Sequence, residues 1–255
     1  KIPGKEEFYE VLRFNRVMLE KYGVELKLGQ NVDAATLNSG NYDHVVLATG
    51  VKPRELELEG ADHAKVLSYL DVLAGECMVG QKVAVIGAGG IGVDVAHYLT
   101  AQTPFSGEVP EYLQNYGILD SEKALALRKP KKREVTVLQR SSDRIGKRLG
   151  KTTGWAHIQT LKSHGVQFLP GATYLKIDDS GLHVKVALKK GEEAQEIVMD
   201  VDNVIVAAGQ EPRRELEKSL LAAGFEVHVI GGARQALGLD AKTAINDGAE
   251  LAAIL

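Results

Sequence analysis

The sequence has little cysteine, little proline and few aromatic residues. Cys77 is the one cysteine among 255 residues, so the chain can form neither an internal disulfide nor a dithiol redox pair, and it cannot hold an iron–sulfur cluster alone. Any redox chemistry must therefore use an organic cofactor. No apolar run reaches the roughly 18 to 20 residues that cross a bilayer, and no signal-peptide pattern opens the chain. We expect a cytoplasmic protein that makes no membrane contact.

The charges are nearly balanced, with 31 Lys and Arg against 34 Asp and Glu and a formal net charge of -3. This balance gives no long-range attraction to nucleic acid, and the basic run 128–133 has no interleaved aromatic residues. A length of 255 residues allows one large α/β domain or two smaller ones. Because the chain begins at Lys1 without an initiator Met, we expect it to be a fragment of a longer protein.

Hydrophobic periodicity predicts alternating helices and strands. The apolar run 45–48 is typical of a strand that is buried on both faces. Three alternating segments after residue 170 predict an antiparallel meander. The predicted helices are 6–22, 93–100 and 156–162, and the predicted strands are 24–28, 43–48, 82–86, 134–138, 166–169, 172–177, 182–188, 194–198 and 201–208.

A glycine-rich turn lies between the strand 82–86 and the helix that follows it. Its sequence, Gly87-Ala88-Gly89-Gly90-Ile91-Gly92, fits G-x-G-x-x-G. In such a turn the first glycine allows the tight bend, the second lets the backbone approach a pyrophosphate, and the third lets helix and strand pack closely. We therefore predict dinucleotide binding by Gly87, Gly89, Gly90, Ile91 and Gly92. The alternative is a glycine-rich turn that binds no ligand.

The residues after the next strand predict the choice of dinucleotide. That strand, 134–138, is separated from the glycine turn and its helix by residues 101–133. These residues have no strand periodicity, and we interpret them as an insertion. An NAD-selective strand would end in a carboxylate, but here Arg140 and Ser141 follow, and they can bind a 2′-phosphate. We therefore predict NADPH as the cofactor; the alternative is that these are solvated surface charges. Three further basic residues add positive potential: Arg144, Lys147 and Arg148.

Two strand ends resemble each other. The segments 48–53 and 207–212 both run from an apolar strand into small residues and close with proline. At such turns a backbone can approach a cofactor, although chance similarity is the alternative. We predict no metal site and no catalytic side chain, because His97, His164 and Cys77 are better interpreted as structural residues.

The sequence resembles the C-terminal half of the bacterial NADPH-dependent 2,4-dienoyl-CoA reductases, which belong to the NADH:flavin oxidoreductase family. The motifs that carry the resemblance span nearly the whole chain. They are IPGKEEFY at 2–9, KVLSYLDVL at 65–73, GKTTGW at 150–155, IDD at 177–179 with GLHV at 181–184, and AGQEP at 208–212.

The resemblance implies an α/β fold in which a Rossmann-like NADP-binding domain is inserted in an incomplete FAD-binding domain. The implied divisions are 1–75 for the first FAD segment, 76–200 for the NADP domain and 201–255 for the final FAD segment. We expect the two FAD segments to form one discontinuous domain, with the strand at Val45 near the strand at Val204. The implied FAD contacts are Lys5, Val32, Ala48, Thr49, Gly50 and Gly209.

The resemblance also implies the function. NADPH would reduce FAD, and the intact protein would reduce 2,4-dienoyl-CoA thioesters in unsaturated fatty acid β-oxidation. The implied partners are an N-terminal barrel with FMN, an iron–sulfur cluster and a first FAD motif, all in the same polypeptide ahead of Lys1. The isolated chain is then expected to bind NADP(H), to retain FAD weakly and to be inactive on the thioester. The alternatives are a non-catalytic dinucleotide-binding or interaction module, and a segment of a related enoate or amine flavoenzyme.

One stretch departs from the related flavoproteins, which often have Gly-Asp at the C-terminal flavin contact. This chain has Gly231-Gly232-Ala233-Arg234 there, so the sequence does not support a ribityl contact. Asp240 follows shortly, and we interpret it as a helix cap.

Overall fold

The computed structural model describes residues 1–40, 42–101, 133–147, 149–150, 152–187 and 192–255. Most of the predicted insertion at 101–133, and Arg148, therefore lie outside the described residues. The strands are β1 His44–Leu47, β2 Val51–Pro53, β3 Val66–Ser68, β4 Lys82–Ile86, β5 Glu134–Gln139, β6 Gln167–Pro170, β7 Thr173–Asp178, β8 Gly181–Val186, β9 Gln195–Met199, β10 Asn203–Val206, β11 Gln210–Pro212 and β12 Glu226–Val229. The helices are α1 Phe8–Lys21, α2 Ala34–Asn38, α3 Tyr69–Ala74, α4 Gly90–Thr100, α5 Gly154–Ser163, α6 Glu217–Ala222, α7 Gly231–Arg234 and α8 Ala241–Ala252.

The chain divides into two compact units, which we name by their order in the sequence. The central unit comprises Lys1–Glu7 and Leu56–Ala208, and the flanking unit comprises Phe8–Glu55 and Gly209–Leu255. The assignment of the flanking unit to FAD and of the central unit to NADPH remains a prediction.

A five-stranded parallel sheet organises the central unit, in the order β3-β10-β4-β5-β6. In its middle strands Val85 lies opposite Ile205 and Val137, and all three are fully buried. Continuous apolar strands of this kind are typical of a parallel sheet that is covered on both faces. The predicted α/β fold of Rossmann-like type is confirmed.

An antiparallel meander of β7, β8 and β9 follows the parallel sheet, as the alternating pattern predicts. Alternate residues of β8, Leu182, Val184 and Val186, are fully buried. They share one hydrophobic cluster with Ile86 and Leu138 of the parallel sheet. The meander therefore covers one face of that sheet.

Two short strand pairs organise the flanking unit. The parallel pair joins β1 to β12, and the antiparallel pair joins β2 to β11. Helix α1 has no buried residue. Asp240 is the N-cap of α8, and its carboxylate accepts a hydrogen bond from the backbone N–H of Thr243 at 2.7 Å. The interpretation of Asp240 as a helix cap is confirmed.

Three details of strand placement differ from the sequence-based predictions. Val204 lies in the central sheet opposite Val66 and Ala84, and Val45 instead pairs with Val227. Strand β3 precedes the predicted NADP domain 76–200 and β10 follows it, but both strands belong to the parallel sheet of the central unit. Residues 24–28 form no strand, although their alternating pattern predicts one. In β1 only Leu47 is fully buried, so the expectation of a strand buried on both faces was wrong.

None of the helices in the described part of the chain combines the length and the apolar composition that a membrane span requires.

Candidate functional site: a dinucleotide-binding turn in the central unit

The glycine turn after β4 packs tightly against two neighbouring strand ends. Gly87 has φ of 110°, and a Cβ there would lie 2.3 Å from the carbonyl oxygen of Ala207, just after β10. Its N–H donates a hydrogen bond to the carbonyl of Leu138 in β5, at 2.9 Å. Only glycine combines this backbone angle with this close approach. The turn is therefore held at the carboxyl edge of the sheet, where dinucleotides bind in folds of this type.

The last glycine of the motif lets the helix pack against the turn. Gly92 is buried in the first turn of α4, and a Cβ on it would lie 1.8 Å from the carbonyl oxygen of Gly87. That distance is far below any real carbon–oxygen contact, so the predicted packing role of Gly92 has a direct geometric basis.

The two middle glycines face open space. Gly89 and Gly90 are exposed, and a Cβ on either would meet no atom within 4 Å. Gly89 is the N-cap of α4 and has no side chain to cap it. Within the described residues, the N–H groups of Gly90, Ile91 and Gly92 have no acceptor. A pyrophosphate fits such a helix start, because the unpaired N–H groups and the helix dipole both attract negative charge.

Arg140 lies on the same edge of the sheet as this turn. Strands β4 and β5 are parallel with Ile86 opposite Leu138, so Gly87 and Arg140 follow neighbouring strand ends. Arg140 is exposed, and in the described part of the chain its guanidinium forms no ion pair or hydrogen bond. A free guanidinium at this place can bind a phosphate bidentately.

The segment after Arg140 is ordered by its own hydrogen bonds. The Ser141 hydroxyl accepts from the N–H of Asp143 at 3.1 Å, which leaves its own proton available to a ligand. Gln139 Nε2 donates to the carbonyl of Ser141 at 3.0 Å. Lys147 pairs with the Asp143 carboxylate at 2.9 Å, so its charge is partly neutralised. Among these residues Arg140 is therefore the strongest candidate ligand for a 2′-phosphate.

Tyr174 is a neighbour of Arg140 that the sequence does not reveal. Burial raises the pKa of Tyr174 to about 12, and the positive charge of Arg140 acts in the opposite direction. The phenol therefore stays protonated at neutral pH. Because Tyr174 lies on β7 of the meander, no local pattern connects it with the end of β5.

The two similar strand ends pair with each other in the flanking unit. Thr49 Oγ1 donates to the carbonyl of Arg213 at 2.5 Å, and the N–H of Arg213 donates to the carbonyl of Gly50 at 3.0 Å. The N–H of Arg54 donates to the carbonyl of Gly209 at 3.1 Å. These bonds, with the β2–β11 ladder, hold the two turns together. Gly50 has φ of 73° and no atom within 4 Å of a built Cβ.

Of the other predicted flavin contacts, Lys5 belongs to the central unit, whereas Val32 and Ala48 belong to the flanking unit. The Nζ of Lys5 pairs with the Asp94 carboxylate on α4 at 2.5 Å. Val32 is half-buried in the flanking unit, next to Asp33, the N-cap of α2. Ala48 is exposed after β1. A flavin role for these residues remains a prediction.

Cys77 is half-buried and packs against the hydrophobic core of the central unit. Burial raises the pKa of its thiol, with nearby carboxylates acting in the same direction. The thiol therefore stays protonated and is a poor nucleophile.

Comparisons with known proteins agree with this arrangement. The chain is 27% identical over 236 residues to a metal reductase of Desulforamulus reducens, a match that covers 91% of this chain and 34% of the relative. It is also 27% identical over 241 residues to a cinnamate reductase of Clostridium sporogenes, over 92% of this chain and 31% of that protein. The chain thus spans about a third of the length of these curated relatives.

A solved 2-naphthoyl-CoA reductase has the same fold, with a TM-score of 0.76 and 24% identity over 97% of this chain and 32% of that one. The family model described as pyridine nucleotide-disulphide oxidoreductase matches residues 10–235. The glycine turn and the parallel sheet lie within this range. The chain therefore belongs to the pyridine nucleotide-disulphide oxidoreductase family, a family of flavin-dependent pyridine-nucleotide oxidoreductases.

Proposed function

We propose that this chain is the NADPH- and FAD-binding part of a cytoplasmic reductase that, when intact, reduces 2,4-dienoyl-CoA thioesters. The observation that supports NADPH most directly is the free guanidinium of Arg140 beside a helix start with unpaired N–H groups. When bound, NADPH would supply a hydride and FAD would accept it.

The residues of the central unit would bind and orient NADPH. The N–H groups of Gly90 and Ile91 would bind the pyrophosphate, and the open space at Gly89 would let the backbone approach it. Arg140 and Ser141 would bind the 2′-phosphate. A carboxylate at this position would bind the ribose hydroxyls of NADH and repel the 2′-phosphate, so Arg140 would favour NADPH through its bond to that phosphate.

FAD would contact the turns at Ala48–Gly50 and Gly209 in the flanking unit. Both turns place backbone with little side-chain bulk at a strand end. The β2–β11 ladder would keep the two turns in register with each other.

The thioester substrate is supported by sequence resemblance. The motifs at 2–9, 65–73, 150–155, 177–184 and 208–212 resemble those of the 2,4-dienoyl-CoA reductases along nearly the whole chain. One relative is named for cinnamate, and one structural neighbour was solved with 2-naphthoyl-CoA. FMN, an iron–sulfur cluster and the proton donor would belong to the rest of the polypeptide, in a barrel that partners this chain.

Arg140→Ala should weaken the binding of NADP(H) and leave that of NAD(H) nearly unchanged. A hydrogen bond to a charged group contributes about 1.5 to 3 kcal/mol, so we expect a loss of roughly 10- to 150-fold for NADP(H). Fluorescence titration with both dinucleotides measures the two affinities. Arg16→Ala removes an exposed arginine from α1 and serves as the control for net charge. Equal losses for the two dinucleotides would exclude the 2′-phosphate role of Arg140.

A longer polypeptide that includes this chain and the proposed barrel should oxidise NADPH when a 2,4-dienoyl-CoA is added. The 255-residue chain alone should bind NADPH but show no thioester-dependent oxidation, because in this proposal the residues that reduce the double bond would belong to the barrel. The absorbance of NADPH follows both reactions, with cinnamate as a competing substrate. If the longer protein oxidised NADPH with cinnamate but not with the 2,4-dienoyl-CoA, the thioester assignment would be wrong. Thioester-dependent oxidation by the chain alone would contradict the proposed division of labour.

A further inference from the structure

Two histidines and a glutamate meet on one face of the β1–β12 pair in the flanking unit. His44 lies opposite Glu226 in the parallel register, and His228 lies opposite Val46. Because side chains alternate along a strand, residues two apart share a face, so His44, Glu226 and His228 all project to the same side. Their ligand atoms lie within 4.8 Å of one another.

The distances between these atoms suit a metal ion. His44 Nδ1 lies 3.5 Å from one carboxylate oxygen of Glu226, and His228 Nε2 lies 3.5 Å from the other. The two imidazole nitrogens are 3.3 Å apart. Zinc bonds of about 2.0 to 2.2 Å in a tetrahedral arrangement separate neighbouring ligand atoms by about 3.3 to 3.5 Å. The two 3.5 Å distances run to different oxygens of Glu226, and one ligand atom of each residue lies within 4.8 Å of the others, so a side-chain adjustment of about 1 Å would bring all three onto one ion.

The ligand set also indicates the class of metal. Imidazole nitrogen suits zinc, copper, nickel and iron, whereas magnesium and calcium prefer oxygen ligands. Two neutral imidazoles and one carboxylate carry a net charge of -1, which attracts a divalent cation. Arg234 of α7 lines a cavity together with His228, but it is paired with Asp247 at 2.6 Å, so that its charge is compensated.

The cluster is open to solvent. The side chains of His44, Glu226 and His228 are 36%, 63% and 22% exposed. His228 also lines a cavity of about 560 Å3 with Arg234 and Glu250. An ion could therefore enter from water, and three protein ligands would leave a coordination position for a solvent molecule.

We propose that His44, Glu226 and His228 form a binding site for a divalent transition-metal ion of the zinc type. The site differs in position and chemistry from the dinucleotide-binding turn, which lies in the central unit. An ion bound there links β1 to β12. Its ligands His44 and His228 are 184 residues apart in the sequence. Since binding requires the folded strand pair, zinc should raise the unfolding temperature of the protein.

The test uses the tag-free protein and zinc chloride in a buffer that does not bind metal. Isothermal titration calorimetry should show one zinc ion per chain, and magnesium chloride should show no binding. His44→Gln, His228→Gln and Glu226→Gln should each reduce zinc affinity at least tenfold. Cobalt(II), followed by its visible absorption, should report the same loss of nitrogen ligands in the two histidine variants.

His97→Gln is the matched control. His97 and His164 form another close imidazole pair, with ring centroids 5.8 Å apart, but no carboxylate completes a cluster with them in the described part of the chain. This variant should bind zinc as the parent does. Circular dichroism without metal checks that each variant is folded, and the exposed Glu226 makes Glu226→Gln the safest of them. Unchanged affinity in all three cluster variants, or loss of binding in His97→Gln alone, would overturn the proposal.

Discussion

Gly92→Ala is expected to destabilise the central unit by more than about 3 kcal/mol, at the upper end of the costs of overpacking. The added methyl carbon would lie 1.8 Å from the carbonyl oxygen of Gly87, and that oxygen belongs to backbone, which cannot rotate away as a side chain could. Gly87 is itself held by Leu138 and by its approach to Ala207. Helix α4 must therefore move away from the sheet, which opens the packing of Val95, Ala96 and Leu99.

Gly89→Ala gives a matched comparison in the same turn. Gly89 has φ of -78°, which alanine adopts without strain, and a Cβ there would meet no atom within 4 Å. We expect a stability loss of about 1 kcal/mol, well below that of Gly92→Ala, because glycine is preferred over alanine at an N-cap but no steric overlap is added. Affinity for NADPH should nevertheless fall at least about tenfold, since the methyl group would occupy the space that the backbone offers to a pyrophosphate.

Chemical denaturation and NADPH titration of both variants separate the two roles. The expected result is a large stability loss for Gly92→Ala and a selective loss of cofactor affinity for Gly89→Ala. If Gly92→Ala were as stable as the parent, the tight helix–turn packing would be wrong. If Gly89→Ala bound NADPH as the parent does, the pyrophosphate would not lie at this turn.

Local patterns in the sequence predict the part of the fold whose elements follow one another directly. The strand 82–86, the glycine turn and the helix that follows are contiguous, so their spacing already fixes their geometry. The strand ending before Arg140 is predicted for the same reason. The helix starts two residues after Ala88, three residues earlier than the apolar spacing indicates, because glycines carry no apolar signal.

Pairings between distant segments could not be predicted in this way. Several strands of the chain are apolar, so the sequence does not show which of them flank Val204. Only the folded sheet shows that Val204 lies beside Val66 and Ala84. The alternation at 24–28 indicates a strand, but a strand also needs a partner for its backbone hydrogen bonds, and local alternation does not name that partner. The cluster of His44 and His228 is invisible in the sequence, because a parallel pairing brings the residues together across most of the chain.

Asp247→Ala should destabilise the flanking unit by about 2 to 3 kcal/mol, since buried groups that lose their partner are costly. Asp247 lies on α8, and its side chain is only 8% exposed. One carboxylate oxygen accepts from the N–H of Gly231 at 2.9 Å, and the other accepts from Arg234 Nη2 at 2.6 Å. Alanine removes both acceptors and leaves a buried backbone N–H unpaired at the start of α7.

The size of the loss depends on Arg234, whose side chain is 55% exposed. Its guanidinium can reach water when the carboxylate is removed, so the cost should be smaller than the 3 to 5 kcal/mol typical of breaking a fully buried ion pair. Asp247→Asn keeps an acceptor for Gly231 and should lose less than Asp247→Ala. Arg234→Ala should also lose less, because the carboxylate keeps its bond to the backbone.

Urea denaturation of the single variants and of the double variant measures these differences and the coupling between the two side chains. Glu250→Ala, an exposed carboxylate on the same helix, should stay within about 0.5 kcal/mol of the parent and controls for the loss of a negative charge. A loss equal to that of Glu250→Ala would mean that Asp247 does not hold α7 to α8. A loss in Asp247→Asn as large as in Asp247→Ala would assign the effect to the charge pair with Arg234, and the bond to Gly231 would then contribute little.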